Sequence, residues 1–477
     1  MKKIEKQSYN ALNKDDTLKI EGDNTMNDIK ITAFGATDYV GKSSFLLSDK
    51  DHSILLDCGL ELVPKGLSKA PKGVDEIAKS LNAFFLSHAH IDHSGYVPRL
   101  AKKGYKGLYY MTHPTKDIAY TLWRDHIKIE GRRHWSERDL DVVYNKIKTI
   151  NYHQKIKVAE GITVEFLNAG HVLGAAQILI DWEGTLILYT GDINDRITPM
   201  FDGYELPNEK IDVLISESTN GDRYVPEREK IDVGLRLLAK QTAESGNKMI
   251  LPSFAVGRSQ EILITLALDK DLDEIPIYMD GMINKMNMIT EHYLDEKWVS
   301  KRFLDQLKKV NLHSPFEKSN FIPIYEVSER TQYARKLITS SDKGSIIVTT
   351  SGMLEGGPIH TYLELCGSNE DDVLGFSGYQ VLGTTGREIF DGKKEVSIQS
   401  DTGKKRKIHL KNQIMKFPYS GHSSVDGLKR IMKETGAKDI ILVHGDQRNQ
   451  EYILNYVKDI AQPRILKEEI PTSILSV

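Results

Sequence analysis

At 477 residues the chain is too long for one ordinary domain, which predicts two or three domains sharing an interface. A composition 40% hydrophobic and 27% charged fits a globular chain with a large core, and a net charge of −3 provides no global attraction for nucleic acid. No apolar run reaches the roughly 18 residues of a membrane span, and two cysteines, Cys58 and Cys366, supply no disulfide framework and suit a reducing cytoplasm.

Residues 1–27 are polar, rich in Lys, Asp and Asn, and lack the apolar stretch of a secretory signal, so they read as a flexible leader. Short β-rich runs follow at 29–34, 44–47, 53–56 and 83–87, the last ending at a His-rich segment. Helical periodicity covers 94–103 and 114–129, and further strands are expected at 162–167, 176–181, 185–189 and 213–216. From 229 to about 365 helical segments alternate with short apolar strands at 249–252, 276–279 and 345–349, the signature of βαβ units on a parallel sheet. The strand-rich style returns at 373, with runs at 395–398, 407–410 and 414–417, a helix over 424–435, a strand over 439–443 and a final helix. This pattern predicts an α/β chain: a leader (1–27), a first domain in two parts (28–219 and 371–477), and a second domain (220–370) inserted between them. The basic run Lys404-Lys405-Arg406-Lys407, just after Gly403, falls in an expected hairpin and reads as a solvated turn.

The richest segment is His88-Ala89-His90-Ile91-Asp92-His93. A buried strand delivers four potential ligands at its end. In extended chain His88 and His90 point the same way, while Asp92 and His93 turn toward a neighbouring point as a helix begins. Imidazoles with a carboxylate suit a borderline cation such as zinc. One segment cannot fill two coordination shells, and other strand ends offer candidates beside glycine: His171 after Asn168-Ala169-Gly170, Asp192 after Thr190-Gly191, and His444 before Gly445.

The order of these motifs resembles the metallo-β-lactamase superfamily: Leu55-Leu56-Asp57-Cys58-Gly59, then the His-x-His-x-Asp-His segment, His171 and Asp192. The insertion and the late His motifs resemble the β-CASP subfamily of RNA-processing nucleases, which includes the pre-mRNA 3′-end cleavage and polyadenylation endonuclease and its bacterial and archaeal relatives. Motif A of that group is similar to Ile215-Ser216-Glu217-Ser218-Thr219, motif B to Phe417-Pro418-Tyr419-Ser420-Gly421-His422, and motif C to Leu442-Val443-His444-Gly445. Within the insertion, Pro252-Ser253-Phe254-Ala255-Val256-Gly257-Arg258 and Thr350-Ser351-Gly352-Met353-Leu354 resemble family blocks. So do Gly378-Tyr379-Gln380 and Gly383-Thr384-Thr385-Gly386-Arg387, where the chain is expected to return to the first domain.

The resemblance implies a metallo-β-lactamase αββα sandwich with an inserted β-CASP domain on a mostly parallel sheet. It implies two Zn²⁺ per chain, one held by His88, His90 and His171, the other by Asp92, His93 and His444, with Asp192 bridging and Asp57 orienting a ligand imidazole. Two such metals supply hydroxide at neutral pH and neutralise charge on a phosphodiester, with Asp92 in the catalytic set. His422 is then the proton donor to the leaving oxygen, Glu217 its hydrogen-bond partner, and Arg258, Ser351 and His422 are expected to meet substrate. Two departures stand out: motif B is followed by Ser423-Ser424-Val425-Asp426 where many relatives carry an acidic residue two positions on, and the leader is too short for the RNA-binding modules that relatives append.

The leading expectation is therefore an endonucleolytic ribonuclease acting on single-stranded RNA, in RNA processing or decay. A histidine at motif C resembles the RNA-cutting branch, whereas DNA-repair relatives typically carry an apolar residue there. A lactonase or thioesterase on the same metals is disfavoured by the size of the insertion, and a non-catalytic RNA-binding scaffold by the intact ligand set. Expected partners are RNA and no membrane, with a homodimer left open.

Overall fold

Along the strand Ser53–Leu56, Ile54 and Leu56 enter one apolar core while Leu55 enters another. The strands Thr185–Tyr189 and Asp439–Val443 alternate likewise, with Ile187, Tyr189, Ile441 and Val443 facing the first core and Leu188, Ile440 and Leu442 the second. Strands with two apolar faces belong to sheets covered on both sides. The computed structural model, which describes residues 28–399 and 404–474, contains two such sheets of seven strands each.

The first runs in the order Thr472–Ser473, Lys30–Gly35, Ser44–Ser48, Ser53–Leu56, Ala83–Phe85, Tyr109–Thr112 and Ile147–Ile150. The second runs Gln462–Ile465, Asp439–Val443, Val213–Glu217, Thr185–Tyr189, Ala176–Trp182, Ile162–Asn168 and Ile156–Ala159. Their facing surfaces share one core, in which Phe85 meets Phe166 at 6.1 Å and Phe45 meets Tyr189 at 5.6 Å between ring centroids. Helices cover the outer faces. Trp123 and Ile118 of the helix His113–Glu130, for example, are buried in the core that also holds Phe84 and Tyr109. This is the αββα sandwich.

A third sheet stands apart, in the order Phe321–Pro323, Ile277–Asp280, Ser345–Thr349, Lys248–Pro252, Val373–Phe376 and Gln413–Lys416, with every pairing parallel. Crossover helices such as Arg258–Ala267 and Ile359–Cys366 supply its cover. Ile250, Ile347 and Leu374 pack on one of its faces with Ile338 and Tyr362.

The structure departs from the sequence expectations in several places. The chain was expected to return to the first domain at 371, yet Val373–Phe376 and Gln413–Lys416 pair into the inserted sheet, which therefore continues to Lys416. The expected helix over 94–103 is two helices, Ile91–Ser94 and Val97–Lys102, with Pro98 in the first turn of the second, where its missing N–H costs nothing. The strands Tyr109–Thr112, Ile147–Ile150, Ile156–Ala159 and Phe321–Pro323 and the helix Glu137–Tyr144 carried too short a pattern to be expected. Glu395–Gln399 and Lys405–His409 form the anticipated hairpin, with Lys404, Lys405, Arg406 and Lys407 exposed. Its tip, including Gly403, and the leader 1–27 lie outside the described residues. Among the described residues no helix is long and apolar enough to cross a membrane.

One buried ion pair ties the inserted sheet to its helices. Asp280, at the end of Ile277–Asp280, accepts from Arg335 Nε at 2.7 Å, from Tyr362 Oη at 2.9 Å and from the Gly281 N–H at 2.7 Å. Both charges are buried, so deleting one strands the other. Asp280→Ala should destabilise the protein by about 3–5 kcal/mol, read as a lowered urea midpoint, whereas a shift within experimental error would show the pair to be dispensable.

Candidate metal centre

Neighbouring parallel strands end at the same edge of a sheet, and that edge is where the candidate residues gather. Thr185–Tyr189, Val213–Glu217 and Asp439–Val443 are parallel neighbours, and from their ends come Asp192, Glu217 and His444. In the facing sheet Ser53–Leu56 and Ala83–Phe85 are also parallel neighbours, delivering Asp57 and the segment 88–93. That segment is held by Cys58 and Leu60, whose N–H groups donate to His93 O and Ile91 O. Gly59 between them must be glycine, because a Cβ there would lie 1.7 Å from Asp92 O.

The residues form two adjoining groups, His88 with His90, His171 and Asp192, and Asp92 with His93 and His444, and a third, Asp192 with Glu217, His422 and His444, overlaps both. In the first, His90 Nδ1 lies 3.2 Å from His88 Nε2 and 3.1 Å from His171 Nε2. The outer nitrogens fix the tautomers. His171 Nδ1 donates to Gly421 O at 2.7 Å, and His88 Nδ1 faces Ser87 Oγ at 3.1 Å, whose own proton goes to Asp57. Both rings therefore turn an Nε2 lone pair inward. Burial, added to by neighbouring imidazoles, holds His88 and His171 well below the usual histidine range and keeps them neutral acceptors.

In the second group, His93 Nδ1 donates to Asp57 Oδ2 at 2.7 Å and His444 Nδ1 faces Thr219 Oγ1 at 3.2 Å. Their Nε2 atoms meet at 3.3 Å, and His444 Nε2 is 3.3 Å from Asp92 Oδ2. Burial disfavours a charged His93, but the Asp192 and Asp57 carboxylates outweigh it and raise its basicity, which strengthens an imidazole as a ligand. Asp192 lies between the groups. Its Oδ1 is 3.2 Å from His93 Nε2 and its Oδ2 is 3.5 Å from His88 Nε2 and 3.6 Å from His171 Nε2, yet Oδ1 is buried without a hydrogen-bond partner. Lone pairs crowded at hydrogen-bond distance, and an orphaned carboxylate oxygen among them, are the donor set a cation completes.

His422 stands beside this cluster. Its Nδ1 is 3.1 and 3.0 Å from the two oxygens of Glu217, its Nε2 is 3.9 Å from Asp192 Oδ2, and its side chain is 22% exposed where that of Glu217 is wholly buried. The Ile193 N–H, donating at 2.8 Å, fixes Glu217 in turn. Burial works against a charged His422, but Glu217 and then Asp192 overcome it and push it up to about 9. Arg258 is partly buried against the motif B loop, with its guanidinium 5.1 Å from the Tyr419 ring centroid and its Nη1 paired with Glu261. Ser351 is not drawn into the cluster: its hydroxyl donates to Gly356 O and accepts from the Glu355 N–H within its own loop. Asp426 is exposed on the helix Val425–Glu434, and the Ser424 N–H after motif B is instead met by Asp195 at 3.2 Å.

Sequence reasoning passed over the hydroxyls that set ring orientation, those of Ser87, Tyr189 and Thr219. Tyr189 Oη donates to Asp57 Oδ2 at 2.7 Å, and Ser87 gives that same oxygen its hydroxyl proton, also at 2.7 Å. Each borders or lies within a motif already noted, and that adjacency is the available signal.

Comparison with known proteins agrees with this geometry. Residues 23–219 match the metallo-beta-lactamase superfamily domain, 259–389 the Beta-Casp domain, and 407–465 the Zn-dependent metallo-hydrolase RNA specificity domain. The chain is 31% identical to an RNase J-like protein of Methanocaldococcus jannaschii over 87% of its own length and 91% of that relative. It is 31% identical to the transcription termination factor FttA of the same organism, covering 88% of this chain and 67% of FttA. Identity is again 31% with the endoribonuclease YSH1 of Yarrowia lipolytica, over 88% of this chain and 50% of that protein. A crystal structure of a protein of unknown function from Enterococcus faecalis V583 shares the fold, with a TM-score of 0.55 at 15% identity, covering 93% of this chain and 99% of that one. With its metal-binding His/Asp cluster at the edge of an interrupted αββα sandwich, the chain belongs to the β-CASP branch of the metallo-β-lactamase superfamily, a family of hydrolytic nucleases.

Proposed function

We propose that the chain is a zinc-dependent endoribonuclease that hydrolyses phosphodiester bonds of single-stranded RNA. The observation that carries this reading is the His422–Glu217 pair, a proton donor held beside, but outside, the cluster of inward-facing imidazoles. The RNA specificity domain matched at 407–465, and relatives named as RNases, support RNA as the substrate.

In this reading His88, His90 and His171 hold one zinc, Asp92, His93 and His444 hold a second, and Asp192 serves both. When bound, the pair supplies a nucleophile from water at neutral pH and neutralises charge on the phosphodiester. The protein's own groups do the rest. Asp57 keeps the His93 Nε2 lone pair aimed inward, as Ser87 does for His88 and Thr219 for His444. Asp92, with its side chain 28% exposed, faces substrate and can orient the attacking water. His422 gives its Nε2 proton to the departing oxygen as the phosphorus–oxygen bond breaks, and Glu217 stabilises the imidazolium beforehand. Arg258 lies by the motif B loop, where its guanidinium can meet a flanking phosphate.

His422→Ala should lower kcat by about 10²–10⁴-fold with metal content unchanged; equal turnover by the variant would remove His422 from the reaction. Because the folded protein holds this imidazole at about 9, the acid form is present at neutral pH and is lost as pH rises through that value. Glu217→Gln should therefore move the alkaline limb of the pH–rate profile to lower pH, and an unmoved limb would count against the pair.

Substrate class is tested with circular single-stranded RNA, matched circular DNA, a lactone and a thioester. Linearisation of the RNA alone, abolished by chelator, is expected, whereas cutting confined to linear RNA would replace the endonucleolytic reading with an exonucleolytic one. The double variant His88→Ala/Asp192→Ala should lose two zinc equivalents relative to the unaltered chain.

A further inference from the structure

A second cluster of ligand-type side chains lies where the helix His113–Glu130 ends. His126 and Glu130 are one helical turn apart on the same face. Gly131, at φ 66°, then turns the chain so that His134 comes back over them. One ligand atom from each of the three lies within 4.8 Å of the others. Glu130 Oε2 is 3.7 Å from His126 Nε2 and 3.9 Å from His134 Nε2. Both imidazoles are more than nine-tenths buried, at 7% and 8% exposure.

A buried hydrogen-bonded triad should leave no polar atom idle. Here the carboxylate is engaged, since Ser68 donates its N–H to Oε1 and its hydroxyl to Oε2, both at 2.8 Å, and His134 Nε2 is 3.2 Å from that hydroxyl. His126 Nε2, by contrast, is buried, aimed at Glu130 and without a hydrogen-bond partner. Its ring is clamped by Trp135 in a stack at 5.0 Å and 21°. Burial lowers both histidines, His134 to about 4, so both rings are neutral; with the Ser68 proton given to Glu130, His134 Nε2 donates to that hydroxyl, and a metal would take the place of this one proton. Arg133 Nη1 approaches the same carboxylate oxygen at 3.5 Å, but its side chain is 42% exposed and also donates to Ser68 O.

We propose that His126, Glu130 and His134 bind a further divalent metal ion of the zinc class, separate from the centre that holds His88. Two neutral imidazoles and a carboxylate match that ion's preference, and three protein ligands leave a fourth position for water. Bonds of about 2.0–2.1 Å place tetrahedral ligands roughly 3.4 Å apart; the carboxylate lies 3.7 and 3.9 Å from the two imidazole nitrogens, and all three ligand atoms lie within 4.8 Å, so the two rings would have to draw together over the carboxylate. The role that follows is anchorage. Ser68 ends a loop whose base is closed by reciprocal backbone hydrogen bonds between Glu61 and Lys69. Near its tip Lys65 reaches the inserted domain, giving its N–H to Glu355 and its Nζ to Glu388, both at 2.9 Å. A metal at Glu130 would fix the near end of a strap whose far end touches the other domain.

The experiment measures zinc in dialysed full-length protein. In the His88→Ala/Asp192→Ala chain one tightly held equivalent should remain, and adding either His126→Gln or Glu130→Gln should release it. In the otherwise unaltered chain, each of those two substitutions should also release one equivalent. A double variant that retains no zinc overturns the proposal, and so does a retained equivalent that survives both substitutions. If His88→Ala/Asp192→Ala releases nothing, the two-zinc reading of the main centre fails, while His126→Gln in the unaltered chain still reports on this site.

Discussion

A single buried carboxylate joins the parts of the centre. Asp57 receives the Ser87 N–H and hydroxyl, the Tyr189 hydroxyl and His93 Nδ1, each at 2.7 Å. Ser87 and His93 belong to the first sheet's edge and Tyr189 to the second's, so the side chain that orients a ligand also ties the two sheets together. Burying a charge this deeply is tolerable only because every approach to it is a donor. The cost of losing any one donor is correspondingly large, since the remaining charge has no water to turn to.

The same economy appears in how the cluster is built. Parallel pairing puts side by side the strand ends that lead into the segment 88–93, Asp192 and His444, while His171 follows the end of the antiparallel strand Ile162–Asn168. Glu217 and Val443 are register partners, which sets His444 one residue beyond the level of Glu217 and places a ligand beside the partner of the proton donor. Shifting either strand by one residue would turn the side chain it delivers away from the other. Precision of the site thus follows from backbone pairing deep in the sandwich, and the surface residues are free of that duty.

Much of this was legible in the amino-acid sequence. The segment 88–93 announces itself because metal ligation concentrates rare residue types in a short stretch. His171, Asp192 and His444 could be picked out as polar residues ending apolar strands beside glycine. What stayed hidden was non-local. Val373–Phe376 reads as a strand of either domain, and only its pairing with Lys248–Pro252 assigns it to the insertion. The inward engagement of the Ser351 hydroxyl depends on how its loop folds over Gly356. The group at His126 and Glu130 leaves no local signature, because the residue that fixes its carboxylate, Ser68, is 62 positions away.

The residues of the site run from Asp57 to His444, and the last of them, His422 and His444, come from motifs near the far end of the chain. During synthesis the two late strands and the motif B loop emerge only after the insertion has been made. A nascent chain therefore has the first imidazoles exposed for most of its translation without the group that would complete them. The site is therefore assembled only once His422 and His444 have joined the strands made before the insertion.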